Sequence, residues 1–296
     1  MTVPPVVDVH WLQKNAINVK ILHVSSVMTP KPDWREFKAQ KFGNFEKLMK
    51  ESSTPTELIP GAGFFDFSMA YYPGEFQRFS LYPPDKFQEY IRLLGIDFYD
   101  HVVVYSNGPA SGMLFASRAW WTFRLYGHHN VSVLSGGFDA WTAAGLGTTS
   151  DVCKGKIGNW RAKPIDRSLL AEFSELDFQH LENVNYLDAR PREQFVGEHP
   201  LGIPAPDSTG SHIHGSVSFP LSEVMTPAGL KNKGDMQQAM EAIGYKKDKP
   251  IVTACMTGVQ ASLLSFALFT SGYKSKVFNG SMTEVAARDS SLINET

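Results

Sequence analysis

The sequence predicts two tandem copies of one α/β domain, each a mostly parallel sheet with helices on both faces. Three observations carry this: an internal repeat, an alternation of short apolar runs with helical patterns, and a composition able to fill two cores. The segments "DHVVVYSNGPASGMLFASRAWWTFRLYGHHNVSVLSGGFDAW" (100–141) and "DKPIVTACMTGVQASLLSFALFTSGYKSKVFNGSMTEV" (248–285) pass through the same events. Each has a charged turn, an apolar strand, a Gly-containing loop, a helix closed by Gly127 or Gly272, a second apolar strand and a Gly turn. Upstream, "IPGAGFFDF" (59–67) echoes "IHGSVSFPL" (213–221).

Within the copies, helices are read from their period. In "PPDKFQEYIRLLG", Phe87, Tyr90, Ile91 and Leu94 share one face, with Asp85 near the start and Gly95 after the end. In "KGDMQQAMEAIG", Met236, Met240 and Ile243 do the same before Gly244. The polar, aperiodic stretch "GTTSDVCKGKIGNWRAKP" reads as a linker. The expected organisation is therefore a first copy over 1–146, a linker over 147–164 and a second copy over 165–296.

Composition excludes several function classes. With 296 residues, 43% hydrophobic, the chain is neither disordered nor fibrous, and a formal charge of -2 offers no basic footprint for nucleic acid or an anionic membrane. The two cysteines, Cys153 and Cys255, are too few for a disulfide framework, and no Cys/His cluster suggests zinc. The stretch "MTVPPVVDVHWLQKN" lacks the basic start and apolar run of a presequence, and no apolar run reaches the roughly 20 residues of a membrane span. A reducing, cytoplasmic location is the expectation.

The chemistry centres on "DKPIVTACMTGVQASLLSFALFTSG" (248–272). The strand "PIVTA" delivers Cys255 to its carboxyl end, where open α/β sheets bind ligands, and a long helix begins almost at once. Backbone N–H groups of Met256, Thr257, Gly258, Val259 and Gln260 are expected to turn toward the sulfur, and with the positive helix end they favour thiolate over thiol. Cys255 then reads as a nucleophile. The competing reading is an inert core cysteine; against it, the first copy ends the matching strand "HVVVYS" with Ser106, so the sheet does not require sulfur here.

These landmarks, together with "YLDAR", "HIHGS" and "CMTGVQAS", resemble the two-domain rhodanese-like sulfurtransferases, which comprise thiosulfate and mercaptopyruvate sulfurtransferases. The resemblance implies two rhodanese domains, the second active and the first an inactive copy, with the site in the crevice between them. It implies transfer of sulfur through a Cys255 persulfide from a small-molecule donor to cyanide, a small thiol or a protein thiol such as thioredoxin, with no metal or organic cofactor. Thiosulfate enzymes of the family place two cations after the cysteine; Met256 and Thr257 are uncharged, which leans toward mercaptopyruvate, with Thr257 helping to deliver a proton to the leaving group.

Other positions depart from the mercaptopyruvate pattern. Gln194 and Ile203 stand where two carboxylate-gripping arginines are expected, with Arg192 two residues from the first slot; Ser68 and Ser80 stand where the first domain supplies an Asp and a His. Met282 and Val285 replace tryptophans. A rhodanese-fold binding module with decayed chemistry is therefore the alternative to an enzyme, while a cysteine phosphatase is disfavoured because Ala261 is the sixth residue after Cys255 and no phosphate-binding arginine follows.

Arg190 in "YLDAR" reads either as a substrate contact or as a partner of Asp188, and Arg118 in "ASRAWW" as a stacked, structural arginine. His128 and His129 fit a helix C-terminus, where a charged imidazole complements the dipole. His212 and His214 lack a third ligand for a metal. Cys153 reads as an exposed thiol.

Overall fold

The computed structural model describes residues 3–26, 29–199 and 211–294. Its two five-stranded sheets have all strands parallel and the same spatial order. In the first the order is Val6–Val7, Val131–Leu134, Val102–Tyr105, Lys20–Ser25 and Gly63–Asp66. In the second it is Leu170–Ala171, Ser275–Phe278, Ile251–Ala254, Asn185–Asp188 and Val217–Ser218. The tandem-copy reading and the mostly parallel sheets are what the structure has. The middle strands, Val102–Tyr105 and Ile251–Ala254, are buried along their whole length, which is why both read as unbroken apolar runs.

The expected helical faces are core faces: Phe87, Tyr90 and Ile91 of the helix Pro84–Leu93 are buried, as are Met236 and Met240 of Lys233–Ala242. Leu94 and Ile243 sit just past these helices and are half-buried.

The two units share a core through equivalent helices, Leu114–Leu125 and Val259–Thr270, which pack against each other. Trp120 meets Phe266 and Phe269 at ring separations of 4.7 and 5.0 Å, and Arg124 lies over Phe269 at 4.4 Å. Burial on all sides explains why neither helix shows a polar stripe. Two small hairpins cross this seam reciprocally. The hairpin of Tyr71–Tyr72 and Ser80–Leu81 leans on the second unit, where Phe79 O accepts from Asn279 Nδ2 at 3.0 Å. The hairpin of Met225–Thr226 and Gly229–Leu230 leans on the first, where Ser111 Oγ donates to Pro227 O at 3.0 Å.

The stretch expected as a linker lies along the first unit. Leu58 and Thr149 form a backbone bridge, Gly158 N–H donates to Arg92 O, and Trp160 is fully buried beside Phe87 and Phe123. Trp160 Nε1 donates to His128 Nδ1 at 3.0 Å. This corrects the dipole reading of His128: burial pushes its pKa down to about 4, so the ring is neutral near pH 7 and serves as an acceptor inside the core.

Candidate active site

Cys255 follows the strand Ile251–Ala254, and Gly258 caps the twelve-residue helix Val259–Thr270. The turn between them is held from outside. Cys255 O accepts from Met282 N–H and Met256 O from Thr283 N–H, both at 3.1 Å. Gly258 O accepts from Ser262 N–H at 3.2 Å, Ser262 Oγ at 2.8 Å and Arg118 Nη1 at 3.3 Å. Because these peptides are trans, pinning a carbonyl to one side sends the next N–H to the other. The N–H groups of Met256, Thr257 and Val259 therefore face away from those partners, and none of them has a protein acceptor among the described residues. Gly258 N–H already donates to Cys255 Sγ at 3.1 Å.

The loop thus presents an anion-binding set of amides at a helix N-terminus. Gly258 is the residue this turn requires. Its φ is 86°, and a Cβ there would stand 2.5 Å from Asn279 O and 3.2 Å from Arg118 Nη1. Cys255 itself is 1% exposed, so whatever reacts with it must be small or presented by a narrow group. Met256, Thr257 and Gln260 are half-buried around it.

A second turn supports the first. Ser281 has φ 50°; its Oγ donates to Phe278 O at 2.7 Å and accepts from Cys255 N–H at 3.1 Å, tying the cysteine's backbone to the end of the neighbouring strand. Asn279 reaches into the first unit, donating through Nδ2 to Gln77 Oε1 at 2.8 Å. Gln77 Nε2 donates to the buried Glu284, which also accepts from Arg288 Nε, each at 2.8 Å. Arg118 is fully buried, stacked over Trp121 at 4.5 Å and Tyr71 at 4.8 Å. Its Nη2 donates to Asn279 Oδ1. Sequence reading missed Gln77, Asn279, Ser281 and Glu284. The "NGS" turn signals only Asn279 and Ser281, and as a turn rather than as a support for the cysteine loop.

The other expected contacts are elsewhere. Arg190 is fully buried and paired with Asp188: Nε lies 3.0 Å from both carboxylate oxygens and Nη2 2.7 Å from one, while Nη2 also donates to Ser211 O. Of the two readings of Arg190 the structure has the pair, which corrects its assignment as a substrate contact. Arg192 is exposed in the first turn of the short helix Arg192–Phe195, which also holds Gln194. Ile203 lies outside the described residues. Ser68 is exposed, its N–H bonded to Asp66 Oδ1, and Ser80 is buried under Gly74 and Gln77. His212 stacks on Phe195 with centroids 4.0 Å apart, and His214 bonds Asn294 Oδ1 at 2.8 Å. Met282 and Val285 fill the core beside Tyr186 and Phe278.

Cavities of about 300 Å³ in the first unit and about 380 Å³ along the seam are not lined by Cys255, so loop geometry rather than cavity size identifies the site. Among the described residues no helix is long and apolar enough to cross a membrane.

The rhodanese-like domain profile matches residues 56–144 and 174–288. A Caenorhabditis elegans protein provisionally named a thiosulfate sulfurtransferase is 34% identical over 321 aligned positions, covering 100% of this chain and 98% of its own. The 3-mercaptopyruvate sulfurtransferase of Rattus norvegicus is 32% identical, covering 76% of each chain. The crystal structure of the 3-mercaptopyruvate sulfurtransferase SseA of Escherichia coli superposes with a TM-score of 0.71 at 24% identity, over 94% of this chain and 99% of that one.

Proposed function

The chain belongs to the rhodanese-like family and is a two-domain sulfurtransferase, and from that premise we propose that it moves sulfur from 3-mercaptopyruvate through a Cys255 persulfide to a thiol or cyanide. The observation that carries the reading is the Cys255 loop itself. The Gly258 N–H donates to the sulfur and the neighbouring amides are left unengaged, while the two residues after the cysteine, Met256 and Thr257, bring no cation to meet a dianionic donor.

In the first step the Cys255 thiolate attacks the donor sulfur. An S–S bond forms and the donor C–S bond breaks, its electron pair leaving on carbon as the enolate of pyruvate. The proton once on the donor thiol ends on that carbon, relayed by the Thr257 hydroxyl or by solvent, so the persulfide is left anionic. The unengaged N–H groups of Met256, Thr257 and Val259 stabilise that anion, as preorganised donors do wherever charge develops. In the second step an acceptor thiolate, on thioredoxin or a small thiol, attacks the outer sulfur and the S–S pair returns to Cys255. The short reach to a 1% exposed sulfur suits a small donor.

Thiosulfate is the second reading, supported by the provisional name of the Caenorhabditis elegans relative. Steady-state kinetics with each donor separates the two. We expect kcat/KM for 3-mercaptopyruvate to exceed that for thiosulfate by at least about tenfold, and Thr257→Val to lower kcat with 3-mercaptopyruvate by about 10²-fold, in the range of a lost proton relay. A preference for thiosulfate that Thr257→Val leaves unchanged contradicts the assignment.

A further inference from the structure

We propose that Arg118, a residue of the first unit, is a positioning residue for the nucleophile of the second: it fixes the Gly258 peptide and supplies the positive charge that holds Cys255 as an anion. The inference rests on the sulfurtransferase reading for its purpose, but on geometry for its content.

Arg118 leaves the first unit on the helix Leu114–Leu125 and ends beneath the cysteine loop. Its contacts there are Gly258 O at 3.3 Å, Ser262 Oγ at 3.3 Å and Asn279 Oδ1, with Phe79 O of its own unit at 3.4 Å. All four acceptors are neutral, and Nε has no partner. Among the described residues Arg118 is in no ion pair, whereas the other fully buried arginine, Arg190, is matched by Asp188. A guanidinium held out of water without a carboxylate is expensive unless an anion compensates it. Burial pulls the pKa of Arg118 below its ordinary value, opposed first by Tyr71 and then by Cys255. Gly258 bridges the two residues, its O accepting from Arg118 Nη1 at 3.3 Å and its N–H donating to Cys255 Sγ at 3.1 Å, so the unpaired guanidinium lies one residue from the sulfur. Arg118 also acts through the backbone. By holding Gly258 O on the core side it turns the Val259 N–H toward the opposite side, where the persulfide anion forms.

The equivalent helix of the second unit reverses the arrangement nowhere: Arg118 aligns with Leu263 in the repeat, an apolar residue buried in the shared core. The charge is thus needed under one loop only, the one that carries sulfur.

The test is the pH dependence of the ultraviolet thiolate absorbance of Cys255. It is read in the full chain as the difference from Cys255→Ser in the same background, which cancels Cys153. Arg118→Met should move the midpoint up by about one pH unit or more, the size expected for loss of an adjacent opposite charge. Arg118→Lys, which keeps the charge and loses the fork, should hold the midpoint within about 0.3 units while lowering the rate of persulfide formation about tenfold. An unmoved midpoint in folded Arg118→Met reduces the residue to packing and overturns the proposal. If that variant does not fold, a full-unit upward shift in Arg118→Lys overturns it equally. Because thiolate absorbance needs no sulfur donor, failure here is distinct from failure of the mercaptopyruvate assignment.

Discussion

The loops at the ends of the two middle strands occupy the same place in two copies of one fold and do opposite things. In the Cys255 loop, the carbonyls of Cys255, Met256 and Gly258 are held by groups outside the loop and the amides of Met256, Thr257 and Val259 are left open. After Ser106, Gly112 O turns inward, accepting from Ser106 N–H at 3.2 Å and from Ser106 Oγ at 2.6 Å. Ala110 and Ser111, both with φ above 50°, and the backbone contact of Gly112 with Gly137 close that loop on the strand end. The supporting bond is shared, since Phe138 N–H donates to Ser106 O as Met282 N–H does to Cys255 O. The fold therefore offers a strand end and a helix start, and a few residues decide whether they become an anion cradle or a closed turn.

Gly258→Ala should have the largest effect on the open loop. The positive φ and the 2.5 Å approach to Asn279 O leave no room for a methyl group, so the turn must rearrange. We expect a loss of stability of about 2–3 kcal/mol, read by denaturant unfolding, and at least about 10²-fold slower persulfide formation. Retained activity at native stability contradicts the cradle.

A second difference between the units is acid sensitivity. His23 and His128, both buried in the first unit, have pKa values pushed down to about 4 by desolvation. Between about pH 6.5 and pH 4 the unfolded chain binds protons at these positions and the folded chain does not, so stability falls as pH falls through that window. Each contributes on the order of 2–3 kcal/mol at its acid end. Thermal unfolding of His128→Gln should show a flatter dependence on pH than the native chain over this range; an equally steep one excludes His128 as a source.

The smallest expected effect is the most instructive. Ser106→Cys places a thiol at the equivalent strand end, yet incubation with donor should add no sulfur there, because Gly112 O occupies the position that Gly258 N–H takes in the active loop. Persulfide at residue 106 would mean that the strand end alone suffices.

Much of this was legible in the sequence for physical reasons. Repeats expose the duplicated sheet, and an apolar run ending in cysteine before a helix locates the loop whose amides are left open. Arg118 was legible only as stacked, because its acceptors on Gly258 and Asn279 lie 140 and 161 residues away. The same holds for Gln77 and Glu284, 207 residues apart. His128 misled because helix position argues for charge, and only the packing of Trp160 from a stretch read as linker reveals a dry, neutral ring. Arg190 remained open for the same reason: "DAR" places acid and base two residues apart without saying which way the guanidinium folds.

In the proposed reaction Cys255 carries the transferred sulfur. Intact-mass measurement of the full chain after incubation with 3-mercaptopyruvate, beside Cys255→Ser, tests it most directly. We expect a gain of one sulfur atom in the native chain, removed by an acceptor thiol and absent from the variant. A gain that persists in Cys255→Ser, or none in native protein whose Cys255 is shown to be reduced, contradicts it.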